Sequence, residues 1–156
     1  MLTLTALVAF TSTTFAIPLS ALNPRQPAPS TYSWSVINWS AGCARAGCYY
    51  DFNITGPCTS NIPSFSAYCS GNDVGYYVAC SINDDGPDTR GVAASLLPRE
   101  QNTEGGARIS VSFRYSEVDV PSTYYNYSGS AVSSFNQFVA PLQNFTITPT
   151  EVFGVA

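Results

Sequence analysis

Between Arg108 and Tyr115 the chain reads RISVSFRY and changes character at every step. Ile109, Val111, Phe113 and Tyr115 fall on one face of an extended strand. Arg108, Ser110, Ser112 and Arg114 fall on the other, because successive strand side chains point to opposite sides. A helix would scatter the same residues around its axis. The two-residue period recurs in YYDFNI, which turns Tyr50, Phe52 and Ile54 inward and leaves Asp51 and Asn53 outward. It recurs again in NFTIT, with Phe145 and Ile147 inward and Asn144 outward. Further strands are expected at Tyr32–Ile37, Tyr76–Ile82, Gly91–Leu97, Ser122–Tyr127 and Val132–Val139, although Val92–Leu97 also suits a helix. Gly, Pro and Asn/Asp clusters separate these segments at the spacing of a sandwich or barrel. The expected fold is a single all-β domain, a disulfide-stapled antiparallel β-sandwich or β-barrel.

The N-terminus bears on the compartment. Met1–Ala16, MLTLTALVAFTSTTFA, is an apolar run ending in Thr14-Phe15-Ala16, and small residues at 14 and 16 suit signal-peptidase cleavage. As a helix it would span roughly 24 Å, short of a bilayer core of about 30 Å. Residues 1–16 are therefore read as a signal peptide. Pro18, Pro24, Pro27 and Pro29 then mark 17–30 as an extended leader or propeptide, with Arg25 as a candidate processing point. Removing the first 16 or 25 of 156 residues leaves 140 or 131, enough for one domain over residues 31–156.

Five cysteines, at 43, 48, 58, 69 and 80, lie in one third of the chain. No C-x-x-C spacing and no histidine is present, so neither a zinc site nor a dithiol redox motif is indicated. Behind a signal peptide the default is disulfides. Cys69 and Cys80 are the best-supported pair: FSAYC and YYVAC read as two strands joined by SGNDVG, a turn-rich connector. Phe65, Ala67 and Cys69 share one strand face, as do Val78, Cys80 and Ile82. Cys43 can reach Cys48 across Ala44–Gly47, and either can equally pair with Cys58. The remaining thiol, Cys58 in the first arrangement, is free or forms a disulfide-linked dimer.

Only 10% of residues are charged, against about 25% in ordinary soluble domains. Six arginines, no lysine, no histidine and a net charge of −4 leave no basic patch for nucleic acid or an anionic membrane surface. Solvation must come from Ser, Thr, Asn, Tyr and sugars. Four acceptor sequons are present, at Asn38, Asn53, Asn126 and Asn144.

The missing residue types also narrow the chemistry. Without histidine there is no Ser-His-Asp or Cys-His arrangement, and without lysine no Schiff base. Glu117 and Asp119, two apart, would point the same way from a strand, with Cα atoms roughly 6.5–7 Å apart. That spacing is compatible with a two-carboxylate glycosidase, or simply with a solvated strand face. Asn83, Asp84, Asp85 and Asp88 around Gly86-Pro87 offer oxygen ligands, but in an order that suits a turn better than a calcium loop. No metal and no cofactor is indicated. Ten tyrosines include the adjacent pairs 49–50, 76–77 and 124–125. Each pair in a strand turns one ring outward, and outward rings stack on sugars or anchor protein interfaces. Tyr49, Tyr77 and Tyr124 are the candidate binding residues.

The order of Trp34–Cys43 (WSVINWSAGC), YYDFNITG, PSFSAYC and YYVACSI, with the ending FTITPTEVFGVA, resembles fungal small secreted effector and elicitor proteins. The resemblance is to the Alternaria major-allergen type, the AA1-like domain, over roughly residues 32–150. It implies a β-barrel or β-sandwich, secretion, a role in host interaction or immune elicitation, and no catalytic centre to transfer. The allergen type carries a second bridge in its C-terminal half, where this chain has no cysteine after Cys80.

The expected function is thus a secreted, non-enzymatic effector or elicitor recognising a host protein. A carbohydrate or cell-wall polysaccharide binding module using the tyrosines is the alternative, and a carboxylate hydrolase a distant third.

Overall fold

The structure, a computed structural model, describes residues 28, 31–98, 105–117, 122–137 and 141–155. The expected signal peptide 1–16, the leader 17–30 apart from Ala28, Arg25 and Asp119 lie outside the described residues.

The described residues form ten strands and no helix: β1 Trp34–Ala44, β2 Gly47–Gly56, β3 Phe65–Asn72, β4 Val78–Ala79, β5 Ser81–Ile82, β6 Arg90–Leu96, β7 Ala107–Ser116, β8 Tyr124–Ser133, β9 Gln143–Ile147 and β10 Glu151–Val155. They pair antiparallel in two sheets, one in the order β5-β3-β2-β1-β9 and the other β10-β8-β7-β6-β4. The sheets do not close on each other, so the architecture is a sandwich and the barrel alternative is set aside.

One core fills the space between the sheets. RISVSFRY behaves as its alternation demands: Ile109, Val111, Phe113 and Tyr115 are buried, while Arg108 and Arg114 are exposed. From the first sheet come Trp34, Val36, Trp39, Phe52, Ile54 and Phe65, all buried. Aromatic rings make the contact between layers. Phe65 of β3 stacks on Phe113 of β7 with centroids 4.2 Å apart, and on its own sheet's side Phe65 is met edge-on by Trp34 at 5.8 Å. Such pairs add to the area they bury through the fit of ring edge to ring face.

β1 runs on to Ala44 beyond the expected Ile37, the bounds of β6 and β8 shift from those expected, and three differences go further. The expected strand Tyr76–Ile82 is two short strands in two different sheets: β4 pairs with β6, whereas β5 pairs with β3. The chain changes sheets at Cys80, so FSAYC and YYVAC do not form a simple hairpin. The expected strand Val132–Val139 does not stand alone: Val132 and Ser133 end the long β8, and 134–137 leave the ladder. There Asn136 is buried, its Oδ1 accepting from Ala41 N–H at 2.9 Å and its Nδ2 donating to the carbonyls of Trp39 and Pro141. It satisfies β1 backbone groups where that strand bulges after Ile37. The third difference is β10, which was not expected because EVFGV alternates weakly.

Candidate recognition surface

A stapled end of the sandwich takes shape around the β1–β2 hairpin. Cys43 and Cys48 are direct cross-strand partners, 3.9 Å apart at Cα, and form a disulfide. Gly47, at φ 128°, closes the turn. That φ favours glycine, and a Cβ there would also push aside the Asp73 carboxylate, 2.7 Å away at Oδ1. That loop, 73–77, is tied to the hairpin by Asp73 N–H donating to Cys48 O at 3.0 Å.

The second disulfide, Cys69–Cys80, holds the base of the same loop. Cys69 is buried in the first sheet. Cys80 N–H donates to Val92 O of the second, so the bridge staples the two layers at the crossover. Tyr50 adds a second tie. Its hydroxyl crosses the core to donate to Ala94 O at 2.9 Å, a path that Gly71 leaves open: a Cβ on Gly71 would meet that hydroxyl at 2.6 Å. Burial pushes the Tyr50 phenol up to about 12.

Between these anchors the loop carries Val74, Tyr76 and Tyr77 outward, and Tyr76 is 65% exposed. Tyr77 Oη and Ser110 Oγ share a hydrogen bond of 2.6 Å, which pins that ring against the outer face of the second sheet. Large apolar side chains are thus displayed on a short loop with fixed ends. Rings of this kind bury much area on contact at low entropy cost.

The outer face of the second sheet continues from Tyr77. A polar depression of about 350 Å³ is lined by Tyr77, Ser110, Ser128, Ser130, Thr150 and Glu151. Its neighbour, about 410 Å³, is lined among others by Ser112, Arg114, Tyr124, Asn126 and Phe153. Tyr124 and Phe153 have centroids 6.2 Å apart, and the Arg114 guanidinium lies 5.7 Å from the Tyr124 ring centre. From Ser110 to Ser116, the partner of Tyr124, is six strand positions, so the face runs about 20 Å.

Two of the three candidate tyrosines therefore share a surface, Tyr77 and Tyr124. Tyr49 belongs to the other sheet, and it is half-buried with its hydroxyl enclosed and unpartnered. Trp34 and Trp39 are core residues without exposure. Tyr76, the most exposed residue of the loop, and Val74 are not among the sequence candidates, because Tyr76 reads as the start of a strand and Val74 as part of the turn-rich connector.

Of the remaining sequence candidates, Cys58 is exposed and unbridged. Glu117 is exposed after β7, and its expected partner Asp119 is outside the described residues. In SINDDGPDT the Asp84 carboxylate turns inward. It accepts from the backbone N–H of Gly86 and Ser66 and forms a salt bridge with Arg90, which hold its pKa at about 2. Arg90 also donates to the carbonyls of Ser64 and Pro87. The segment is a turn locked by an ion pair. Among the sequons, Asn38 and Asn144 are exposed and adjacent, with Asn38 N–H donating to Asn144 Oδ1 at 3.0 Å; Asn53 and Asn126 sit mid-strand on the outer faces, half-buried.

No protein-family model matches the chain, and no curated protein or solved structure matches it either.

Proposed function

We propose that this is a secreted, non-enzymatic recognition protein of the fungal effector or elicitor kind, acting on a host protein through the stapled loop 73–77. The observation that carries this reading is the exposed Val74–Tyr76–Tyr77 tip held at both ends by disulfide-anchored backbone. A preorganised aromatic tip loses little freedom on docking, so its buried area appears as affinity. Two disulfides belong to an oxidising compartment, and with Met1–Ala16 they support extracellular destination. The resemblance of Trp34–Ile82 to the Alternaria major-allergen type favours host interaction over catalysis.

The test is infiltration of purified protein into leaf tissue, scored for cell death. The Tyr76→Ser, Val74→Ser double variant should keep its fold by circular dichroism and lose the response. An undiminished response from that folded variant would refute the assignment of the loop.

A second reading, a polysaccharide-binding module, draws on the depression lined by Tyr124, Phe153, Arg114 and Asn126. It predicts retention on chitin, β-glucan or cellulose that Phe153→Ala abolishes. Passage of the protein through all three matrices would eliminate it.

A further inference from the structure

The outer faces of the sheets carry apolar residues that a chain with so few charges can ill expose. Of the eight large exposed apolar residues among the described residues, Val74, Tyr76 and Tyr77 belong to the loop 73–77. Three of the other five, Ile37, Tyr68 and Phe153, are direct cross-strand partners of sequon asparagines. Asn53, in the central strand of the first sheet, pairs with Tyr68 on one side and Ile37 on the other. Asn126, in β8 of the second sheet, pairs with Phe153 and Arg114 and has Tyr124 two positions before it on the same face. Direct partners hold their Cβ atoms about 4.5–5.5 Å apart, so a sugar ring on the amide nitrogen meets the neighbouring side chain.

We infer that the N-glycans of Asn53 and Asn126 lie down on these partners, the first on Tyr68 and Ile37, the second on Phe153 and Tyr124, and shield the two outer sheet faces. The inference rests on the extracellular reading above. Asn126 is arranged for it: Oδ1 accepts from Ser112 Oγ at 2.7 Å, orienting the amide, while Nδ2 has no hydrogen-bond partner among the described residues. The sequon hydroxyls, Thr55 and Ser128, lie on the same faces. In the transfer, Nδ2 loses one hydrogen and bonds C1 of the reducing-end N-acetylglucosamine. The C1–O bond of a lipid-linked oligosaccharide pyrophosphate breaks, and the lipid pyrophosphate leaves as the displaced proton passes to water. The apolar face of the sugar then covers the ring, which keeps its aromatic surface from water. Neither Asn38, beside the bulge, nor Asn144, on the edge strand β9, has an aromatic cross-strand partner in the ladders. The depression that supports a polysaccharide-binding reading is on this account filled by the chain's own sugar.

The test uses the full chain secreted from a glycosylating eukaryotic host. Occupancy is read site by site from glycopeptide masses, and native release by peptide N-glycosidase is timed in heavy-oxygen water. Asn53 and Asn126 should be occupied and should release roughly three- to tenfold more slowly than Asn38 and Asn144, the ratio expected from one aromatic contact. Tyr68→Ser should speed release at Asn53 alone, and Phe153→Ser at Asn126 alone. Tyr68→Phe should leave it slow, which a merely crowded site would not require. Denatured protein should release all sites alike. Occupancy of Asn38 and Asn144 without Asn53 and Asn126, or equal native rates at all four, would overturn the inference and leave the extracellular reading intact. Four empty sequons on the secreted protein would overturn the inference alone, and retention of the chain inside the producing cell would overturn the extracellular reading.

Discussion

The Arg90–Asp84 pair links the β5–β6 turn to the start of β3, and replacing Asp84 with Asn tests what it contributes. The Arg90 side chain is 2% exposed, the Asp84 side chain 27%. In the variant the guanidinium stays buried with the carbonyls of Ser64 and Pro87 but without a counter-charge. Breaking a fully buried pair costs about 3–5 kcal/mol. The partial exposure of Asp84 and the two remaining acceptors lower the expected loss to about 2–3 kcal/mol. Urea unfolding followed by the fluorescence of buried Trp34 and Trp39 reads it directly. With a slope of about 1–3 kcal/mol per molar, the midpoint should fall by about 0.7 M or more. The acid limb supplies an independent check. The Asp84 pKa is about 2 in the folded chain against 3.8 without its partners, so the native state binds fewer protons. Its contribution is complete above pH 4 and is lost as pH falls from about 4 towards about 2, amounting to at most about 2 kcal/mol after solvent screening. Asp84→Asn should lack that step. A variant midpoint within about 0.3 M of the parent, or superimposable acid limbs, would refute the reasoning.

Three further outcomes are expected. Serine at both Cys69 and Cys80 should lower stability by about 3 kcal/mol in urea titration, and amide exchange should quicken in loop 73–77 more than in β7. Asn136→Ala should cost about 2–4 kcal/mol, because two buried backbone groups, on Ala41 and Trp39, and a partly buried one on Pro141 lose their partner together; thermal unfolding of the variant would measure it. At high pH, burial raises Tyr32 and Tyr50 to about 12 and Tyr115 further, above the usual 10. Stability is therefore full below pH 10 and should fall as pH climbs from 10 towards 12, which circular dichroism followed across the titration would measure.

The positions of the strands were legible wherever one face is buried and the other wet. Arg108–Tyr115 and Tyr49–Ile54 show this, because burial on a pleated sheet imposes a period of two on the sequence itself. Cysteine number, the scarcity of charge and the absence of histidine and lysine likewise depend on composition alone, and they narrow compartment and chemistry before any contact is known. Pairing is another matter. That Cys80 marks a change of sheet, that Phe153 is the partner of Asn126, and that Asp84 reaches Arg90 all depend on which strands become neighbours. Strand neighbours are chosen by the global fit of two twisted layers around Phe65, Phe113 and Trp34, not by local propensity. Outward-facing tyrosines look identical in a sequence. Only the assembled sandwich places Tyr76 on an anchored tip, Tyr68 and Tyr124 beside sequon asparagines and Tyr49 half under its neighbours, since exposure belongs to the packed surface and not to the residue.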